Sequence, residues 1–332
     1  MNAASALYPL RFEPIFQYRP WGGRRLGPLL DIPLPGGEPI GEAWLLSDRD
    51  DHASLVACGP LKGSTIGELT ARSPQDMLGE CAGRSGRFPL LLKLLDVDQR
   101  LSVQVHPSDA YPGLIPAGET GKTEAWVVLE GGEGARVFAG LRAATTVGRL
   151  RRALAEGTVV DQLAAFTPNP GDAVLIRAGT VHSLGDVVVF EVQQNSDVTF
   201  RLYDWDHIDP RTSQRRALQV EQALACIDFE QGPVLPQAPV VVERRPVRRE
   251  ELIHCDQFGV TRLSGRLPFI VGKTGLPRVL VGLAGRAELE YAGQRYAFAR
   301  GQVLLVPAVV GECMCWPQGA VSLLEISLPE HP

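Results

Sequence analysis

A chain of 332 residues, 45% hydrophobic and 21% charged, holds enough apolar material for more than one core, so two domains or one large and one small are expected. A net charge of -5 argues against broad nucleic-acid binding, because a phosphate backbone needs clustered Lys and Arg. An anionic small substrate stays open, through a local basic pocket.

The first ten residues carry neither a basic leader nor a long apolar run, and no later run reaches the roughly 18 residues of a membrane span. No membrane association and a cytoplasmic location are the expectations. Six cysteines are scattered without CxxC spacing, which speaks for ordinary reduced thiols rather than a zinc ribbon or disulfide framework.

Short Val- and Leu-rich runs cut by Gly, Pro and Asp recur at 42–47, 90–95, 101–105, 125–129, 173–176 and 187–193. Strands of this length between turn signals predict a sandwich or barrel. Two stretches, 64–80 and 146–156, instead space apolar residues three and four apart behind a Ser or Thr able to cap a helix. They predict helical insertions, near 64–80 and 146–165, decorating a mainly β body. The Pro- and Val-rich segment 231–247, basic at Arg244, Arg245, Arg248 and Arg249, is expected to be a solvated connection. Strands resume at 278–283, 287–291, 294–298, 302–306 and 322–327, with Ala292 and Gly293 as a hairpin turn. The expected division is a catalytic domain over 1–235 and a smaller β domain over 236–332.

The segment Gly171-Asp-Ala-Val-Leu-Ile-Arg177-Ala-Gly179-Thr-Val-His182 predicts a strand, a glycine turn and a histidine at the start of the next strand. Upstream lie Gln104-Val-His106-Pro107 and Lys122-Thr-Glu124. Residues two apart on a strand share a face, so Gln104 and His106 are able to point together into a barrel. Two imidazoles and a carboxylate suit a metal such as zinc with one position left open for substrate. Gly301, Pro307 and Glu312 repeat the spacing of Gly171, Arg177 and His182, 130 residues later, with Glu312 where the histidine stands. The second half is therefore expected to repeat the fold in degenerate form, without metal ligands.

The spacing over 171–182 resembles the second signature of the cupin superfamily, with Arg177 in place of the usual Pro. A closer resemblance covers roughly residues 15 to 210. Trp21-Gly22-Gly23, Gly41-Glu-Ala-Trp44, Phe88-Pro-Leu-Leu-Leu-Lys93, Leu101 to Pro107, Gly121 to Trp126, Ala178 to His182 and Gln194-Asn-Ser-Asp-Val-Thr-Phe-Arg-Leu-Tyr-Asp204 keep the order seen in type I mannose-6-phosphate isomerases. In particular they resemble the shorter bacterial form.

The resemblance implies a jelly-roll cupin barrel followed by a smaller cupin-like domain. It also implies a zinc-dependent aldose-ketose isomerase acting on a sugar phosphate, mannose 6-phosphate with fructose 6-phosphate, with one zinc ion per chain. By position His106, Glu124 and His182 are implied ligands, Gln104 a fourth, Arg201 the active-site arginine, and Lys122 and Asp197 neighbours of the reacting carbons.

Such chemistry passes through an enediolate whose charge calls for a metal or a cationic donor. Lys122 is expected to have a lowered pKa beside the metal, and Glu191 to support a ligand or accept a proton. Arg177 brings a cation to the metal turn and is a candidate for the substrate phosphate. An iron-dependent cupin oxygenase would share the ligands, and a non-catalytic sugar-phosphate-binding regulator would keep the pocket. The oligomeric state stays open.

Overall fold

The computed structural model describes residues 7–83 and 86–328. Every strand pairing in it is antiparallel. One curled sheet runs from Phe200–Tyr203 through Val103–Val105, His182–Gln194, Leu90–Val97 and Ile15–Gly23 to Ile40–Leu46. The long strand Glu124–Leu141 also pairs with His182–Gln194 and carries Ala173–Ile176 and Leu163–Phe166. The mainly β architecture expected from the alternation of short apolar runs and turn residues is thus realised.

The C-terminal half builds a four-stranded sheet and six strands of a seven-stranded sheet. They enclose an apolar interior that includes Leu263, Phe269, Leu280, Leu289, Phe298 and Leu304. The first strand of the chain, Leu10–Arg11, pairs with Val303–Val306 of the seven-stranded sheet. A continuous core follows from that crossover, joining Leu45, Phe88 and Phe190 to Phe258, Val279 and Ile326.

Both helical stretches are present. Thr65 and Glu68 form a reciprocal capping box at the start of Ile66–Arg72. A proline follows Ser73, whose backbone leaves the helical region, so a separate short helix, Pro74–Leu78, begins there. Thr146 caps Val147–Glu156, which buries Leu150 and Ala153 and stops at Gly157, where φ is +72°. Beyond it the chain takes a 3-10 turn over Val159–Gln162 and is already a strand at Leu163, so the helical insertion ends short of 165.

The segment 231–247 is not purely a connection. Val240–Glu243 is an edge strand paired with Arg248–His254. Its alternating exposed and half-buried valines were hidden in sequence by the flanking prolines. Half of the basic cluster there is ion-paired, Arg248 with Glu250 and Arg249 with Glu243 and Glu325, while Arg244 and Arg245 are exposed. The strands Ala173–Ile176 and Val303–Val306 stand 130 residues apart, each behind a left-handed glycine, Gly171 and Gly301. Ala292 and Gly293, both at positive φ, make the hairpin turn between Arg286–Tyr291 and Gln294–Ala299.

Candidate active site

Cross-strand register assembles the site on the inner face of the curled sheet. Gln104 faces His182, and Arg201 faces Gln104. Lys93 lies between Trp44 and Glu191, and Glu191 in turn faces Trp126. Because side chains alternate, Glu124 points to the same side as Trp126, and Gln193 to the same side as Glu191. Of these residues Lys93, Gln104, Glu124, Trp126, Glu191 and Arg201 line a cavity of about 460 Å³, with Lys122, Asp197 and Arg216 also on its wall.

His106, Glu124 and His182 are buried with one donor atom each within 4.8 Å of the others. Glu124 Oε2 is 3.3 Å from His106 Nε2, and its Oε1 is 3.4 Å from His182 Nε2. The outward nitrogens are already committed: His106 Nδ1 donates to the Val198 carbonyl at 2.8 Å and His182 Nδ1 to the Thr180 carbonyl at 2.9 Å. A carbonyl only accepts, so both rings carry the proton on Nδ1 and turn an Nε2 lone pair inward.

Burial, helped by the Lys122 charge, lowers the pKa of His106 to about 3 and also lowers that of His182, which keeps both imidazoles neutral. His106 Nε2 and both Glu124 oxygens make no hydrogen bond. These buried, unsatisfied atoms of one neutral imidazole and a carboxylate, with His182 Nε2 beside them receiving only the Gln104 amide, fit a divalent cation.

Burial alone would raise the Glu124 pKa, but the Lys122 charge holds it well below the ordinary value. Lys122 Nζ lies 3.0 Å from Glu124 Oε2. Contrary to expectation, the Lys122 pKa is raised: burial pulls it down, and Glu124, Glu191 and Asp197 outweigh that. The sequence showed the lysine beside one ligand, and the fold surrounds it with three carboxylates.

Gln104 sits beside the triad. Its NH2 donates to His182 Nε2 at 3.1 Å and its carbonyl accepts from Ser102 Oγ at 3.1 Å, so ligation by the carbonyl requires the amide to turn over. Arg201 Nε donates to Ser102 Oγ at 3.2 Å. Asp197 is half exposed, 4.0 Å from Lys93 Nζ. Arg177 is exposed and absent from the cavity wall. With no place on that wall, Arg177 has no geometric basis for the phosphate role.

Lys93 and Glu42 were not singled out from the sequence. Lys93 Nζ lies 3.7 Å from Glu191 Oε1 and 5.0 Å from the Trp44 ring centre. Glu191 Oε2 accepts from Trp126 Nε1 at 2.9 Å. Burial and the Glu124 charge raise the Glu191 pKa to about 7, against the pull of the two lysines. Burial would raise that of Glu42, yet Lys93 and a two-bond pair with Arg19 bring it down to about 2. The signal was available: Lys93 is the one charge inside Leu-Leu-Leu-Lys-Leu-Leu, and a buried strand keeps a lysine only at a cost.

Residues 10–117 match the family described as Phosphomannose isomerase type I, catalytic domain. Mannose-6-phosphate isomerase ManA from Bacillus subtilis is 34% identical over 316 residues, covering 92% of this chain and 94% of that protein. The chain belongs to the mannose-6-phosphate isomerase family. The enzyme of that name from Streptococcus mutans is 32% identical over 306 residues, covering 91% of this chain and 93% of its own.

Among solved structures, the Bacillus subtilis mannose 6-phosphate isomerase superposes with a TM-score of 0.88 at 28% identity, covering 97% of this chain and all of that one. This confirms the cupin architecture expected for the family. A variant of phosphomannose isomerase from Salmonella typhimurium shares the fold, with a TM-score of 0.77 at 18% identity and coverage of 97% and 100%. Among the described residues, no helix is long and apolar enough to cross a membrane.

Proposed function

We propose that this chain interconverts mannose 6-phosphate and fructose 6-phosphate with one zinc ion held by His106, Glu124 and His182. The observation that carries the reading is the buried triad, with unsatisfied atoms on His106 and Glu124 and with Glu124 on the wall of the cavity that Arg201 also lines, in a chain of this family. A bound zinc ion would polarise the sugar carbonyl without redox chemistry.

The chain's own groups would do the rest. Glu191, with a pKa of about 7, is matched to accepting a proton near neutrality. Lys122, held protonated beside Glu124, would stabilise the charge that an enediolate gathers. Asp197 sits on the cavity wall beside Lys93, and Gln104 serves as a fourth ligand if its amide turns. Arg201 holds the phosphate or the oxyanion through its planar fork. We place this catalytic unit within residues 1–235 and assign no metal to 236–332.

An oxygenase on the same ligands would leave Lys122 and Arg201 without a task, and a mere binding protein would not need a proton acceptor tuned to neutrality. The test is a coupled assay of mannose 6-phosphate conversion, run on metal-free protein, after zinc repletion and after chelation. Turnover that returns with zinc is the expected result. Its absence in zinc-replete protein overturns the reading.

A further inference from the structure

The cavity wall carries arginines as well as Glu124 of the triad. An aldose phosphate carries its reacting carbons and its phosphate at opposite ends, so a phosphate seat belongs away from the His106, Glu124 and His182 triad. From that triad a chain of hydrogen bonds leads outward: His182 to Gln104, Gln104 to Ser102, Ser102 to Arg201, and Arg201 Nη1 to the Ala217 carbonyl at 3.1 Å. Arg216, the neighbour of Ala217, lines the same cavity.

Arg216 lies in the loop that joins the Phe200–Tyr203 strand to the Val220–Cys226 helix. That loop is pinned to Arg201. The Arg201 N–H donates to Gln219 Oε1 at 3.1 Å, and the Gln219 N–H donates to the Arg201 carbonyl at 2.8 Å. The Asp204 carboxylate, buried on the same strand end, takes both Nε and Nη2 of Arg216. Among the described residues Nη1 of Arg216 donates to nothing, which leaves one edge of its fork for a ligand.

The other charges nearby are spoken for. Arg19 uses its fork on Glu42, and Asp209 Oδ1 accepts from Tyr18 Oη at 3.1 Å and from the Arg211 N–H at 2.8 Å. Arg201 has no carboxylate partner among the described residues. Both arginines line the same pocket, and burial and then the charge of Arg216 lower the Arg201 pKa.

We propose that Arg216 binds the substrate phosphate together with Arg201, and that Asp204 is the positioning residue that aims it. The identity of the sugar phosphate rests on the isomerase reading; the dianion seat does not. Two guanidinium groups on the wall of one cavity offer more charge-assisted bonds to phosphate than a single arginine, which makes the pair a determinant of selectivity for phosphorylated over free sugar.

The test is calorimetric binding of mannose 6-phosphate, and of inorganic phosphate as a competing probe, to zinc-loaded full-length protein. Arg216→Ala should weaken both by about 10- to 100-fold, the scale of lost charge-assisted hydrogen bonds. Arg216→Lys should recover only part of that, because an ammonium does not reproduce the fork. Asp204→Asn should raise KM with kcat unchanged, a split that a general structural defect would not give. If Arg216→Ala does not fold, as judged by circular dichroism, Arg216→Lys and Arg216→Gln carry the measurement. Wild-type affinity for mannose 6-phosphate in any folded Arg216 variant overturns the proposal. A wild-type protein that binds mannose 6-phosphate without converting it, while Arg216→Ala weakens the binding, overturns the isomerase reading and leaves the phosphate seat standing.

Discussion

The two halves of the chain run the same local script to different ends. In each, a left-handed glycine starts a four-residue strand, Ala173–Ile176 in one and Val303–Val306 in the other. The first script delivers His182, fully buried, onto the next strand, whereas the second delivers Glu312, which is exposed. Behind that difference the interiors diverge. The C-terminal sheets close on an apolar core, while the curled N-terminal sheet keeps Glu42, Lys93, Lys122, Glu124 and Glu191 buried around a cavity. One barrel is packed for stability; the other holds charge out of water, which is costly unless each charge meets an opposite charge or a ligand.

Removing the triad should break the comparison most severely. His182→Ala or Glu124→Gln should cost at least about 100-fold in turnover, the scale of losing one electrostatic stabiliser of the reacting oxygen, and should abolish stoichiometric zinc in elemental analysis. The complementary change lies in the packed half. Phe269 is fully buried between the sheets, and Phe269→Ala should lose about 3 to 5 kcal/mol of stability while kcat of the folded fraction stays at its wild-type value. A urea melt and an assay on one preparation check both. Loss of kcat without loss of stability in that variant would mean that the second half does more than pack.

Glu191→Gln probes the proton step. Because burial and Glu124 raise its pKa to about 7, Glu191 is ionised only toward the alkaline side of neutrality, so kcat should decline as pH falls through 7. The substitution keeps an acceptor for Trp126 Nε1 and removes the titration. The acidic limb of the pH–rate profile should therefore vanish along with most of the activity; a limb that persists assigns the ionisation to another group.

The same groups give the metal-free protein two opposing pH slopes. His106 titrates at about 3 in the folded state against an ordinary 6.5. The unfolded chain takes that proton first, and stability is lost as pH falls from about 6.5 toward 3. Glu191, raised from 4.5 to about 7, keeps its proton longer when folded, and its contribution is lost as pH rises from about 4.5 to 7. His106→Gln should flatten the acid side of a Tm-against-pH curve recorded without metal, and Glu191→Gln the neutral side. An unchanged acid side in His106→Gln would show that the ring is protonated in the folded protein.

Much of this was legible in the sequence because strand periodicity is local. Gln104 with His106, and Lys122 with Glu124, share faces by spacing alone, and the Gly171 to His182 run encodes its own turn. What the sequence hid depends on register between distant strands. Lys93 meets Glu191 across 98 residues of chain, and nothing near either residue announces the other. Arg177 failed for a local reason instead. Its position in the motif suggested the site, but the turn that presents His182 inward sends residue 177 outward. The edge strand Val240–Glu243 was masked by prolines on both sides, although its exposed and half-buried valines alternate as an edge strand should.

The mildest intervention asks whether the second script lacks only its histidine. Glu312→His restores the missing residue type at the position that repeats His182. If a ligand residue alone made a metal site, the variant would bind a second zinc ion. The surroundings predict otherwise. Position 312 is exposed and the strand that follows it carries Cys313 and Cys315 into an apolar core, so an introduced imidazole would meet water rather than a buried carboxylate and a second neutral ring. Because the site is on the surface, the substitution should move stability by no more than about 0.5 kcal/mol and leave turnover and zinc stoichiometry at wild-type values. Calorimetric zinc titration distinguishes the cases. A second equivalent of tightly bound zinc would show that the residue type at one position limits metal binding, whereas a single equivalent locates the difference between the halves in the buried, unsatisfied donors that surround His182.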